Sequence, residues 1–311
     1  MLYVQRSGPG KTTSPATVPR TSMRLIRVRA RGDRAVPGSE KVILGAAGGP
    51  SSCTSLPPTA DCLPSDVDHN GGDIQFAGDG TMFVSTGDGG GDDEHVEQTA
   101  LRAQNVDSLA GKVLHITRDG KGLSSNPFWN GDASANRSKV WAYGFRNPFR
   151  FTLRPGSGVP YVGDVGSTIH EEIDTAARGA NLGWPCYEGD GRHGLYAGTP
   201  VCKALYARGA SAVRAPVFSF PRKDSSSITG GVFYTGSRFP DQYRDGYFFG
   251  DWGLSKLRVL RIDPAGSAVG SWVDFAERAA GPVKLALGPD GSLYYLALNL
   301  GQIRRITYTG P

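Results

Sequence analysis

Residues 66–73 run Asp66, Val67, Asp68, His69, Asn70, Gly71, Gly72, Asp73. Polar oxygens at alternate positions, followed by glycine, match the opening of an EF-hand calcium loop. The histidine in the middle has no use there. The twelfth position of such a loop must supply a bidentate glutamate, and counting from Asp66 it is Ala77. The intervening Ile74-Gln75-Phe76 already starts a strand-like run. The calcium-loop reading therefore fails. Two readings stay open: a catalytic histidine on a tight turn, with Asp68 beside it, or a polar turn before a strand. Gly71 and Gly72 suit either, because glycine lets the backbone turn sharply. A second acidic, glycine-rich stretch, Gly87 to Glu94, reads as a solvated loop. Asn136-Arg137-Ser138 is a glycosylation sequon. No phosphate-binding loop, nucleophile elbow or zinc-protease helix is present.

Strands are the elements expected to hold these residues in place. The apolar runs are short and rich in Val, Ile, Phe, Tyr and Leu: Met82–Val84, Val113–Ile116, Val232–Tyr234, Tyr247–Phe249, Leu257–Ile262 and Leu293–Leu296. Gly, Asp, Pro or Asn bound them, which is the strand signature. Short helices are expected only at Glu94–Asn105 and Glu171–Arg178. A unit recurs along the chain. Gly78-Asp79-Gly80-Thr81 precedes Met82-Phe83-Val84, and Gly288-Pro289-Asp290-Gly291-Ser292 precedes Leu293-Tyr294-Tyr295. Asp245-Gly246 precedes Tyr247, and Gly156-Ser157-Gly158 leads into Tyr161-Val162. Asp-Gly or Ser-Gly makes a tight turn with positive φ, and a strand follows. Such repeated small sheets indicate a β-propeller. The spacing is irregular, so insertions are expected near 50–64 and 190–214 of one domain over 1–311. Strand signals at Leu2-Tyr3-Val4 and at Gly301–Tyr308 lie at the two ends.

Composition narrows the function classes. With 39% hydrophobic and 20% charged residues, 311 residues sustain a packed core and not a disordered chain. A net charge of +5 without any run of like charge gives no nucleic-acid footprint. No run approaches the ~18 apolar residues of a membrane helix. The four cysteines form no C-x-x-C, which argues against zinc and thioredoxin chemistry. They fall into two local pairs, Cys53–Cys62 and Cys186–Cys202, in Pro/Gly-rich loops, as expected in an oxidising compartment. The opening residues lack the apolar core of a secretion signal.

Seven strings in order carry a resemblance: His69-Asn70-Gly71-Gly72-Asp73, Gly87-Asp88-Gly89-Gly90, Ala110-Gly111-Lys112-Val113-Leu114, Tyr143-Gly144-Phe145-Arg146-Asn147-Pro148, Asn181-Leu182-Gly183-Trp184-Pro185, Ile228-Thr229-Gly230-Gly231 and Gly288-Pro289-Asp290-Gly291. In this order they resemble the glucose/sorbosone dehydrogenase family, which includes soluble aldose dehydrogenases that use pyrroloquinoline quinone (PQQ). The resemblance implies an all-β, six-bladed β-propeller, here with its first blade missing or incomplete, and a periplasmic or extracellular location. It implies oxidation of an aldose or related sugar or polyol, with electrons passed to an external acceptor.

The same resemblance assigns residues. His69 becomes the general base on the sugar hydroxyl, a task suited to a side chain that titrates near neutrality, and Asp68 orients it. Arg146 and Asn147 match the pair that contacts the quinone, whose carboxylates suit a guanidinium. Lys256 and Lys284 are the remaining candidate cations. Ca²⁺ is implied at Glu172, with backbone carbonyls from Asp164 through Val165 to Gly166, and Leu182 is a further candidate metal residue. The chain departs from the family in carrying Asp164-Val165 where the calcium loop has Gly-Pro, and in offering only Lys284 before the last Pro-Asp-Gly turn. Fewer cations leave a second reading, a non-catalytic propeller that binds glycans or proteins.

Overall fold

The computed structural model describes residues 2–7, 21–46, 57, 60–64, 68–91 and 94–310. The recurring turns come first, because they set the strand ends. Gly80 and Gly291 both have positive φ, 83° and 73°. In each turn the glycine amide closes back on the residue three before it: Gly80 N donates to Ala77 O and Gly291 N to Gly288 O, both at 2.9 Å. The aspartate before each glycine then caps the turn. Asp79 Oδ1 accepts from Thr81 N at 2.9 Å, and Asp290 Oδ1 accepts from Ser292 N at 3.1 Å. A local sequence rule thus writes the same hairpin twice, more than two hundred residues apart.

Among the described residues, three antiparallel sheets hold four strands, each in chain order, with a separate two-stranded ribbon, Tyr187–Glu188 and Gly191–Arg192, inserted before the last strand of the second. The first comprises Gly71–Phe76, Met82–Thr86, Lys112–Ile116 and Val140–Tyr143. The second comprises Pro148–Leu153, Pro160–Asp164, His170–Thr175 and Phe218–Pro221. The third comprises Ile228–Phe233, Tyr247–Asp251, Lys256–Leu260 and Val273–Ala276. Three-stranded sheets precede and follow them. One pairs Leu2–Ser7, Thr21–Arg27 and Lys41–Leu44; the other pairs Pro282–Leu287, Leu293–Ala297 and Gln302–Ile306. Meanders of this size are the blade unit of a propeller.

The chain divides into two compact units. Unit 1 holds residues 1–147, 178–186 and 193–213. Its core is aliphatic, with Leu25, Leu44, Met82, Val84, Leu114 and Val140 fully out of solvent. Unit 2 holds residues 148–177, 187–192 and 214–311. Its cores are aromatic: Tyr161, Phe220, Tyr247 and Phe249 in one, Tyr234, Phe239 and Phe248 in the other.

Three expectations need correction. Glu171–Arg178 is not helical; His170–Thr175 is a strand, paired on one side with Pro160–Asp164 and on the other with Phe218–Pro221. Sheet pairing outweighs the helix propensity of two glutamates. Glu94–Asn105 yields only a short 3₁₀ turn, Ala100–Gln104. The α-helix lies instead at Pro200–Ala207. Thr199 caps it, its hydroxyl accepting from Cys202 N at 3.3 Å, and Pro200 occupies the first turn, where its missing N–H costs nothing. The sequon is occupied by structure: Asn136 is buried and its amide donates to Ala60 O and Asp107 O. Cys186 and Cys202 form a disulfide. The Cys53–Cys62 pairing involves residue 53, which lies outside the described residues.

Candidate functional site

The hairpin made by Gly71–Phe76 and Met82–Thr86 builds the site in unit 1. Its register sets Gly71 opposite Thr86. The residues just before Gly71 and just after Thr86 therefore leave the sheet at the same end. His69 sits there with φ +46°, in the left-handed region. The two segments stay paired: Gly87 N donates to Asn70 O at 2.9 Å and Gly89 N to His69 O at 3.1 Å. A side chain at Gly87 would place its Cβ 2.1 Å from His69 O, so only glycine permits this approach.

The outcome is a buried chain of hydrogen bonds. His69 Nδ1 lies 2.9 Å from Asp88 Oδ1. Trp184 Nε1 donates to Asp88 Oδ2 at 2.7 Å. Gly90 N also donates to Asp88 Oδ1, at 2.8 Å. The Asp88 backbone is pinned as well: its amide donates to Arg146 O and its carbonyl accepts from Arg102 Nη2, both at 2.8 Å. The Asp88 side chain is 1% exposed and that of His69 10%. Arg146 is buried, with its guanidinium 5.5 Å from the Trp184 ring centre. Behind Trp184 pack His193 and Tyr196, both buried. The buried Lys112 holds the floor, its Nζ donating to the carbonyls of Arg102, Ala103 and Ala110.

Burial pushes the Asp88 carboxyl up, but the His69 hydrogen bond and charge, the Arg146 guanidinium and the Gly90 amide outweigh it. The net is a pKa below the ordinary 3.8. Asp88 is therefore ionised near neutrality and can only accept. That sets the donor: Nδ1 carries the proton toward Asp88, so in the neutral imidazole it is Nε2 that holds the lone pair. The orienting carboxylate is thus Asp88, where Asp68 was expected. Asp68 is exposed. The expectation of a solvated Gly87–Glu94 loop also fails for Gly87–Gly90, all buried. Asn147 follows Arg146, half-buried.

Unit 2 carries a second constellation. In the register of Pro160–Asp164 with His170–Thr175, Asp164 stands opposite Glu172. Asp174 lies two residues on from Glu172, hence on the same face of the strand. One ligand oxygen from each of Asp164, Glu172 and Asp174 falls within 4.8 Å of the others, and all three residues are buried. Glu172 accepts a close hydrogen bond from Gly189 N. Among the described residues, neither carboxylate oxygen of Asp174 has a hydrogen-bond partner. Burial, and after it the neighbouring carboxylates, hold Glu172 and Asp174 well above the usual carboxylate range; the Arg214 charge opposes this at Asp174. Glu171 faces the other way. It pairs with Arg222 and accepts from Ile228 N at 2.9 Å, and burial raises it to about 7.

Three buried oxygen donors with an unmet oxygen pair fit a hard cation. Asp164 joins them through its carboxylate, where only its carbonyl was expected. Asp174 was missed, although period-two spacing after Glu172 is the signal that finds it. Val165 is half-buried next to Asp164. Leu182 lies in unit 1, where its amide donates to Tyr143 O at 2.9 Å. Lys256, expected as a quinone contact, is instead bound by Asp274 at 2.6 Å and Glu277 at 3.5 Å. Lys284 is half-buried, opposite Leu296 in its sheet.

With this geometry in hand, the likeness to known proteins is clear. A family model described as Glucose / Sorbosone dehydrogenase matches residues 62–305. Aldose sugar dehydrogenase YliI of Escherichia coli (strain K12) is 29% identical over 233 residues, covering 73% of this chain and 57% of that protein. The chain thus spans little more than half the length of this relative. A crystal structure of a glucose dehydrogenase superposes with a TM-score of 0.68 at 26% identity, covering 94% of this chain and 74% of that one. The PQQ-bound aldose sugar dehydrogenase of Streptomyces coelicolor has the same fold, with a TM-score of 0.61 at 21% identity over 94% of this chain and 72% of that one.

Proposed function

We propose, since the chain belongs to the glucose/sorbosone dehydrogenase family, that it carries the catalytic residues of a PQQ- and Ca²⁺-dependent sugar dehydrogenase. Its substrate would be an aldose or related sugar or polyol, and its electrons would leave to an external acceptor. The observation that carries this reading is the imidazole of His69 held by the ionised Asp88, which is itself anchored by Trp184.

His69 is the general base. Its Nε2 takes the proton from the sugar hydroxyl, and the imidazolium so formed is stabilised by Asp88 across Nδ1. Trp184 and Gly90 keep the carboxylate from rotating away. PQQ, when bound, would supply the hydride acceptor for the sugar carbon. Its carboxylates would suit one buried guanidinium, Arg146, with the Asn147 amide next to it in the chain. Lys256 does not fit that role, being neutralised by Asp274 and Glu277. The orphaned oxygens of Asp174 favour a Ca²⁺ ion held by Asp164, Glu172 and Asp174, with the Val165 carbonyl as a further donor. We extend the fold reading to six blades. A periplasmic or extracellular location accords with the Cys186–Cys202 disulfide.

The neutralised Lys256 favours a second reading, a propeller that binds glycans or proteins without redox chemistry. Dye reduction separates the two. Protein reconstituted with PQQ and Ca²⁺ should reduce an artificial acceptor when an aldose is added. No aldose-dependent reduction across a panel of sugars would favour the binding reading.

A further inference from the structure

Unit 2 contains a cavity of about 380 Å³ that plays no part in the proposed chemistry. It is of the size that takes small ligands. Two arginines, Arg154 and Arg214, line it, and no carboxylate does. Neither arginine forms an ion pair among the described residues, although the charge of Arg214 is felt by the buried Asp174 behind the wall.

The Arg154 guanidinium is held in place by hydrogen bonds and aromatic rings. Arg154 Nη1 donates to Tyr161 Oη at 3.1 Å and its Nη2 to Asp263 O at 2.6 Å. Its plane lies over the rings of Tyr161 and Phe233, at 5.7 and 5.3 Å from their centres. Among the described residues Arg214 is held at one point, Nε donating to Thr175 Oγ1 at 2.6 Å. Its two terminal nitrogens, the fork that grips carboxylate or phosphate side-on, remain available to a ligand. Two like charges facing one cavity repel, and an anion between them removes that cost. Pro155 and Pro264 add apolar wall.

We propose that this cavity binds a small organic anion, through a carboxylate or a phosphate monoester on a compact body. The anion sits against the Arg214 fork, and Arg154 supplies the second positive charge. Nothing in this depends on His69, so the site stands or falls apart from the dehydrogenase reading.

Isothermal titration calorimetry on the full chain tests it with three probes: succinate, glycerol 3-phosphate and neutral glycerol. Binding of at least one anion is expected, with none of glycerol. Which anion binds identifies the head group. Arg214→Ala, at an exposed position that leaves the fold intact, should weaken the anion about tenfold or more; Arg214→Lys should recover part of the loss; His69→Ala should change nothing. Absence of binding by both anions, equal binding of glycerol, or an unchanged affinity in Arg214→Ala would overturn the proposal.

Discussion

His69 and Asp88 are nineteen residues apart in sequence and 2.9 Å apart in space. The hairpin between them explains both numbers, since the strands it joins begin and end at the same edge. The carboxylate sets which nitrogen is free to act as a base. Asp88→Asn keeps the shape but can present an N–H to Nδ1, so the wrong nitrogen is protonated. We expect kcat to fall on the order of 10²- to 10⁴-fold, with PQQ affinity little changed. Steady-state dye reduction by the reconstituted variant checks this. A near-native kcat would remove Asp88 from the account.

The same carboxylate predicts a pH effect on stability. Its folded pKa lies below the ordinary 3.8. Its stabilising contribution is therefore complete above the unfolded value, about 3.9, and is lost as pH falls through the folded value. The gap in Tm between the native chain and Asp88→Asn should be full at neutral pH and close below about pH 4. Scanning calorimetry from neutral to strongly acid buffer reads it. A gap that stays constant to the lowest pH would contradict an ionised Asp88.

Trp184 acts through Asp88. Trp184→Phe keeps the ring stacked beside Arg146 but removes the Nε1 donor, leaving a buried carboxylate oxygen short of one hydrogen bond. The expected cost is about 1–3 kcal/mol of folding stability, with a lowered kcat and a KM near native. Chemical denaturation and initial rates together give the split. A change in KM alone would mean that Trp184 touches the sugar and does not position the base.

Asp164, Glu172 and Asp174 predict stabilisation by calcium. With free Ca²⁺ at 100 times its Kd, the metal should add about 2.7 kcal/mol to unfolding. Asp174→Asn should abolish most of that gain while folding on its own, because it relieves the repulsion among the carboxylates. The readout is Tm with and without Ca²⁺, independent of any activity. An equal calcium response in the variant would place the metal elsewhere.

Much of the fold was legible because its rules are local. Asp79-Gly80 and Asp290-Gly291 encode their own turns, and a strand must follow each. His69 stood out on its glycine turn, but the turn alone left its role open, and the assignment as base came from the family resemblance. Asp88 was not, because Gly87–Glu94 has the composition of a solvated loop. One of its hydrogen-bond donors is Trp184, 96 residues further on, and no local pattern reports such a partner. Glu171–Arg178 misled for a related reason. Its glutamates favour helix in isolation, but its two sheet neighbours come from Pro160–Asp164 and Phe218–Pro221. Lys256 looked like a free cation until the strand Val273–Ala276 brought Asp274 to it.

The central claim is that His69 is the base of a quinone-dependent oxidation. Titration of the native chain and of His69→Ala with PQQ and Ca²⁺, followed by addition of aldose and dye, tests it directly. The account predicts that both proteins perturb the quinone absorption band at micromolar PQQ, and that only the native chain then reduces the dye. An unperturbed band in the native chain, or dye reduction that survives His69→Ala, would contradict it.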